Sequence, residues 1–189
     1  MHMLSLAYEN VNQAFDQLLQ FSDKIDEQIY KREDTVNYLD KVISEYISAA
    51  LATPNLNVNI SQALSSYYLM LVDIERISDY AVNMNHQATK RLQGDMTISE
   101  IEIVEHMKKL CVDMKNDLDD VEEAERKDDV IDSLVSSWRE AQIQALKQKK
   151  CSSEVSMMLS RIFTDFERIN DHALNVSQEF DKINIEIPE

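Results

Sequence analysis

The stretch DIERISDYAVN at residues 73–83 decides the fold of this chain, because a near-copy, DFERINDHALN, follows at residues 165–175. Seven of the eleven positions are identical at a constant offset of 92 residues, and the identical ones include Asp, Glu, Arg and Asn. Core packing alone would match apolar positions and leave the polar ones free to vary. The shared polar residues therefore indicate an internal repeat.

The spacing of apolar residues predicts six long helices. One glycine and two prolines in 189 residues are too few for the frequent turns of a sheet protein. The predicted helices cover residues 4–28, 32–52, 59–93, 98–125, 128–148 and 153–181. A weaker match at an offset of 95 places the second helix, from Glu33, over the fifth, from Asp128. We therefore expect an all-α fold of two tandem three-helix bundles, residues 4–94 and 95–183, with residues 1–3 a remnant of cloning.

Several helix ends carry recognisable signals. Gly94, the single glycine, is well placed to end the third helix. Thr97 and Glu100 have the spacing of a capping box, which predicts the start of the fourth helix. Ser152 or Ser153 is expected to cap the sixth helix in the same way.

The net charge of −16 excludes some classes of partner. Such an acidic surface repels nucleic-acid backbones and anionic lipid, so binding to either is not expected. No apolar run approaches the roughly 20 residues that span a bilayer, so this segment is not expected to insert into a membrane. Cys111 and Cys151 form no CxxC motif and are typical of a reducing compartment. The charge otherwise favours cations, basic partners or plain solubility.

The repeated motif places carboxylates one helical turn apart. Glu75 and Asp79 share a helix face, which Asn83 continues. The same spacing recurs at Glu167, Asp171 and Asn175, and in the second and fifth helices at Glu33/Asn37 and Asp128/Asp132. Like charges at this spacing destabilise an isolated helix, so their presence in both copies suggests a bound cation. Carboxylates from adjacent helices are hard oxygen ligands that suit iron, manganese, zinc or magnesium.

A simpler interpretation is a solvated acidic face. In that case Arg76 and Arg168 pair with carboxylates of their own helix, whereas in a metal site they would hold the ligands in place. Enzymatic activity is not expected, because the chain has no glycine-rich phosphate loop, no HExxH motif and no Glu-x-x-His of di-iron bundles. A metal-free helical adaptor that binds a basic partner stays open as an alternative.

The motif Asp-x-Glu-Arg-Ile-x-Asp-[Tyr/His]-Ala-x-Asn, present twice in a six-helix chain, resembles the signature of the PhoU family of phosphate-transport regulators. The resemblance spans about residues 8–181 and implies two three-helix bundles that bind multinuclear iron or zinc. The implied ligands are Glu75, Asp79, Glu167 and Asp171, supported by Glu33, Asp128 and Asp132, with Asn37, Arg76, Arg168, Asn83 and Asn175 around them. Asn37 stands where the other copy has Asp132, which implies a weaker or differently shaped first site.

Two branches of the family compete. The stretch EDTVNYLDKVISEY at residues 33–46 is similar to the cytoplasmic tail of bacterial sodium/phosphate cotransporters. Stand-alone members usually carry Pro-x-x-Asp-Leu-Arg before the third helix, whereas residues 54–61 read PNLNVNIS. The resemblance thus implies a regulatory domain on the cytoplasmic side of the inner membrane, with the transmembrane part of a phosphate transporter as its partner. The alternative is a stand-alone regulator of the phosphate ABC transporter and its sensor kinase; a homodimer is compatible with both.

Overall fold

Helices account for nearly all of the residues that the structure describes. The structure is a computed structural model that describes residues 2–89 and 96–186, and no β-strand occurs within them. The helices are α1 His2–Leu19, α2 Asp23–Leu51, α3 Val58–Thr89, α4 Ile98–Asn116, α5 Val121–Lys147 and α6 Ser153–Glu186. The predicted all-α fold class is confirmed.

Helices α3 and α6, which carry the repeated motif, form the most extensive helix–helix contact in the described residues. Helices α1 and α2 pack against α3, while α5 packs mainly against α6. Helix α4 lies against α1 and makes smaller contacts with α5 and α6. Together with the α3–α6 contact, it therefore joins the first trio of helices, α1 to α3, to the second trio, α4 to α6. All six helices contribute side chains to one continuous hydrophobic core. The predicted division between residues 94 and 95 and the cap at Gly94 lie outside the described residues.

The turn between α1 and α2 comes earlier than predicted. The first helix was expected to reach residue 28, but α1 ends at Leu19 and α2 begins at Asp23. The buried side chain of Gln17 accepts a hydrogen bond from the backbone N–H of Ser22 at 2.7 Å and donates one to its carbonyl at 3.0 Å. Because one side chain satisfies both backbone groups of Ser22, the chain can reverse within three residues. Phe21, which seemed to continue the apolar spacing, is exposed in this turn.

The boundary between α4 and α5 was also predicted wrongly. The fourth helix was expected to run to residue 125, but α4 ends at Asn116 and α5 starts at Val121. The Asp120 side chain accepts a hydrogen bond from the Glu123 backbone N–H at 3.1 Å and so caps α5. Lys127 donates to the carbonyl oxygen of Asp113 at 2.7 Å, which satisfies a backbone acceptor in the last turn of α4.

Two predicted helix caps are confirmed. The Thr97 hydroxyl accepts a hydrogen bond from the Glu100 N–H at 3.3 Å, and the Glu100 carboxylate accepts one from the Thr97 N–H at 2.7 Å. This reciprocal pair is the predicted capping box. The Ser152 hydroxyl accepts a hydrogen bond from the Val155 N–H at 3.2 Å at the start of α6. Across residues 2–89 and 96–186, no helix has the length and hydropathy needed to cross a membrane.

We predict that Phe166→Ala destabilises the whole fold. Phe166 is fully buried and packs edge-on against Phe15, with ring centroids 6.4 Å apart, and beside Trp138, at 6.3 Å. Its truncation leaves a cavity where the two trios meet and should lower the free energy of unfolding by about 3–5 kcal/mol. Denaturant titration followed by circular dichroism measures this change. Met157→Ala, on the exposed side of α6, is the control and should change the value by less than about 0.5 kcal/mol.

Candidate functional site

Glu33 of α2 is a buried carboxylate that points at α3. Its Oε2 atom accepts a hydrogen bond from the hydroxyl of Ser78, and the Ser78 oxygen accepts one from Asn10 Nδ2 of α1 at 3.0 Å. Arg32 Nη1 donates to Asn10 Oδ1 at 2.6 Å, which holds the amide in this orientation. The other oxygen of Glu33, Oε1, is buried and has no hydrogen-bond partner within the described residues. An orphaned carboxylate oxygen is costly, so this position invites a proton or a cation.

The predicted pair on α3 lies next to Glu33. Burial raises the pKa of Glu33 to about 7, against the Ser78 hydrogen bond that lowers it, and the nearby charges of Asp79 and Glu75 raise it further. The pKa of Glu75 is also raised, first by burial and then by Asp79, with Asp40 of α2 adding to the effect. The first repeat therefore has a partly buried cluster of four carboxylates, Glu33 and Asp40 from α2 and Glu75 and Asp79 from α3. All of these except Asp40 were predicted from the sequence as candidate ligands.

Arg76 makes local ion pairs on the surface of α3. Its Nη1 atom lies 3.1 Å from Asp79 Oδ2, and its Nε atom lies 3.6 Å from Glu75 Oε2. More than half of the Arg76 side chain is exposed, so solvent screens both contacts and each contributes little to stability. The pairing matches the simpler interpretation of this arginine, but it leaves the buried Glu33 oxygen unsatisfied.

The second repeat holds a similar cluster. Burial raises the pKa of Asp128 on α5 to about 6, and the charges of Asp132, Asp171 and Asp129 raise it further. The Oδ1 atom of Asp128 is buried without a hydrogen-bond partner in the part of the chain that the structure describes. Asp128 occupies the position that matches Glu33 in the alignment of the two copies. The equivalent residues Glu33 and Asp128 thus each have one buried carboxylate oxygen that accepts no hydrogen bond from the described residues.

Glu167 differs from its counterpart Glu75. Its Oε2 atom lies 2.5 Å from Arg139 Nη2 of α5. Arg139 also donates to the Thr164 hydroxyl at 3.1 Å and to the Ser160 carbonyl at 3.3 Å. This ion pair, which the sequence analysis missed, neutralises one predicted ligand of the second cluster. Aligning the two copies could have pointed to this ion pair, because α2 has Ser44 where α5 has Arg139. The positive charge at this position therefore belongs to the second copy alone.

The structure places the residues predicted to surround the ligands in different environments. Asn175 Nδ2 donates to Asp73 Oδ1 of the other repeat at 3.1 Å, and His172 Nδ1 lies 2.7 Å from the same oxygen. Asn37 and Asn83 are exposed. Arg168 makes the same i,i+3 pair with Asp171 as Arg76 makes with Asp79, at 3.1 Å. The repeated motif thus contributes residues both to the clusters and to the contact between the repeats.

Both clusters consist of oxygen donors, the ligand type that hard cations prefer. Within residues 2–89 and 96–186, no three His, Cys, Asp or Glu side chains form a group that could hold a metal ion as they stand. Yet each cluster contains a buried oxygen with no hydrogen-bond partner among the described residues, and a carboxyl whose pKa is raised first by burial and then by the neighbouring carboxylates. An added positive charge would relieve both features, and oxygen ligands of this kind suit iron, manganese or magnesium and also bind zinc.

Comparison with known proteins decides the family. The family model described as PhoU domain matches the chain twice, over residues 1–88 and 98–180, so that each match spans one trio of helices. The chain belongs to the PhoU family. The family resemblance of the repeated motif is therefore confirmed.

Relatives of this PhoU-family chain are distant in sequence and close in fold. It is 24% identical to the phosphate-specific transport system accessory protein PhoU homolog 1 of Thermotoga maritima, over 94% of this chain and 80% of that protein. The crystal structure of PhoU from Pseudomonas aeruginosa is 21% identical with a TM-score of 0.82, covering 96% of this chain and 91% of that one. The phosphate transport system regulatory protein PhoU from Streptococcus pneumoniae is 20% identical with a TM-score of 0.78, covering 96% and 90%.

We predict that Glu33→Gln stabilises the metal-free protein above neutral pH. Folded Glu33 keeps its proton up to about pH 7, whereas the unfolded carboxyl releases it near pH 4.5. The folded state therefore binds more protons between these values, and the contribution of Glu33 to stability falls as the pH rises through this window. Glutamine can still accept from Ser78 and can donate to the neighbouring carboxylates. After chelator treatment, we expect a gain of about 1–3 kcal/mol at pH 8 and almost none at pH 4.5, measured by denaturant titration.

Ser48→Gln is the control for this experiment, because it introduces the same side chain on the exposed side of α2 without changing a charge. Its effect on stability should be the same at both pH values. An equal effect of Glu33→Gln at pH 4.5 and pH 8 would contradict the buried, proton-binding role of Glu33.

Proposed function

We propose that this chain is a metal-binding regulator of phosphate transport. Its membership of the PhoU family supports the regulatory part, since two of its relatives are described as an accessory protein and a regulatory protein of phosphate transport systems. A regulator of this kind is not an enzyme. The observation that carries the metal part is the pair of matching buried oxygens, one in each repeat, that find no partner among the described residues.

The first metal site would be formed by Glu33, Glu75 and Asp79. Asp40 lies close to the cluster and compensates for Asn37, which has no charge. A bound cation supplies positive charge that keeps these carboxylates ionised at neutral pH. The residues hold the ion between α2 and α3, so that occupancy changes how firmly the outer helix is attached to the central one.

The second metal site would be formed by Asp128, Asp132 and Asp171 between α5 and α6. Glu167, which the motif also predicts as a ligand, must exchange its ion pair with Arg139 before it can join them. The two sites are therefore expected to differ in affinity. Iron and zinc are the metals that the family resemblance implies, while manganese and magnesium suit the same oxygen donors.

The partner we propose is the membrane-embedded part of a phosphate transporter, reached from its cytoplasmic side. The descriptions of the relatives support a regulator separate from the transporter over the tail of a cotransporter. The stretch at residues 33–46 supports the tail as a second candidate. The genomic reading frame upstream of Leu4 distinguishes them, since bilayer-spanning apolar stretches there would favour the tail.

We predict that each cluster binds metal independently. Replacing Glu75 and Asp79 with alanine should remove metal from the first site, and Asp128→Asn with Asp171→Asn should remove it from the second, in each case with the helical fold retained. Elemental analysis of the purified protein and calorimetric titration with iron and zinc salts give the metal content. Each double variant should lose at least one ion per chain.

A matched control removes two exposed acids of α4, Glu102→Gln with Glu105→Gln, and should retain the full metal content. If the wild-type protein contains no metal, and the Glu75/Asp79 variant behaves as wild type, the metal part of the proposal is wrong. Salt-sensitive binding to a basic partner without metal would then favour the helical adaptor.

The regulatory role predicts a cellular effect. Deletion of the gene should uncouple phosphate uptake, measured with radiolabelled phosphate, from the phosphate concentration of the medium. The wild-type gene should restore this control. An unchanged uptake curve in the deletion strain would contradict the regulatory role without bearing on whether the protein binds metal.

A further inference from the structure

The outer side of the first repeat presents an unusual number of exposed apolar side chains. Tyr38, Val42 and Tyr46 follow one another at i, i+4 and i+8 on α2, so they share one face. Their exposed fractions are 65%, 42% and 73%. On α3, Tyr68 and Val72 have the same spacing and are also exposed. Because α2 and α3 pack against each other, we call the five exposed residues of these two neighbouring stripes the tyrosine face.

The three-helix unit does not require apolar residues at these positions. The second repeat is a copy of the same unit, and the offsets of 95 and 92 residues give the matching positions. The residues found there are Ser133, Ser137 and Ala141 on α5, and Ser160 and Thr164 on α6. All five are exposed. Since the second copy folds with small or polar residues at these points, two of which bind Arg139, the three-helix unit does not need the tyrosine face in order to fold.

A groove runs beside the α2 part of this face. It has a volume of about 520 Å³, and its lining is mainly apolar. Leu39 and Ile43 line it from α2, directly after Tyr38 and Val42 in the chain, and Tyr67 and Met70 line it from α3. The stripe from Tyr38 to Tyr46 extends over roughly 12 Å at the helical rise per residue. A helix of three or four turns could cover it with one apolar side.

Charge decides which partner fits this surface. Between residues 34 and 46 the acids Asp34, Asp40 and Glu45 outnumber the single cation, Lys41. The whole chain carries −16, so a second copy or an anionic lipid surface would bring like charge against like charge. A segment with one apolar side and flanking Lys or Arg residues is complementary to both properties of the surface.

Under the proposed function the partner is a membrane transporter, and the cytoplasmic loops of membrane proteins carry an excess of Lys and Arg. We propose that the tyrosine face is the docking surface for a basic, amphipathic cytoplasmic segment of that transporter. This inference rests on the proposed function and adds the surface and the chemistry of the bound segment. Tyrosines are well suited to the task, because large aromatic side chains dominate the energetics of protein interfaces.

The test uses synthetic peptides that cover every cytoplasmic loop of the phosphate transporter of the source organism. The full-length chain is titrated with each fluorescently labelled peptide, and binding is followed by anisotropy. At least one peptide should bind, and replacing its Lys and Arg residues with Gln should weaken binding at least tenfold. The triple variant Tyr38→Ser, Tyr46→Ala, Tyr68→Ser, which introduces the residues of the second repeat, should also bind at least tenfold more weakly.

The matched control removes exposed apolar side chains from the second repeat, with Ile143→Ser and Met157→Ser. It should bind the peptide within twofold of wild type, and circular dichroism should show both variants folded. The proposal is overturned if no peptide binds the wild type, or if the triple variant binds as well as the control. It is also overturned if sedimentation shows that the face joins two copies of this chain.

Phosphate uptake by cells separates this inference from the proposed function. If the wild-type gene restores control of uptake and the triple variant restores it equally well, the docking surface is wrong and the regulatory role stands. If the wild-type gene has no effect on uptake, the regulatory role fails, and the peptide titration alone then judges the docking surface.

Discussion

The packing of α3 against α6 is the contact that positions the rest of the molecule. Each helix must bury the apolar stripe that contains Ile77 in one copy and Ile169 in the other, and both residues are fully buried. Once that stripe faces inward, the carboxylates of the same motif are turned toward the neighbouring outer helix. The outer helices α2 and α5 then complete the clusters with Glu33 and Asp128. The placement of the acids is thus a geometric consequence of a hydrophobic contact.

The two copies of the unit have diverged in how they manage charge. In the second copy Arg139 crosses from α5 to neutralise Glu167, whereas the first copy has Ser44 at that position, and Glu75 pairs with the exposed Arg76 of its own helix. The second copy also has small residues, Ser133, Ala141 and Ser160, in place of the exposed tyrosines. The first unit therefore lacks this cation from the outer helix and exposes more apolar side chains at the matched positions. The two three-helix units thus share one fold but differ in their surfaces.

The sequence was a sufficient guide to some features because their causes are local. A capping box depends on residues three apart, and the identity of the two motifs follows from direct comparison of the chain with itself. The turn at Ser22 could not be predicted in the same way, because it depends on a hydrogen-bonding side chain, Gln17, that is equally compatible with a continuous helix. The ion pair between Arg139 and Glu167 and the contact between Asp73 and His172 were not predicted, for a related reason. Both join residues far apart in the chain, and helical spacing carries no information about which helix lies opposite.

The stacked rings of Tyr80 and His172 show a consequence of having both units in one chain. They occupy equivalent positions of the motif, and their centroids lie 5.7 Å apart with planes inclined by 24°. A residue that meets its own counterpart lies close to a local two-fold axis. In a symmetric pair of separate, identical units, this position would have to face an identical side chain. Because the two units here belong to one chain, the two sides of the axis can carry different residues, and the Tyr80–His172 pair, with His172 also contacting Asp73, uses that freedom.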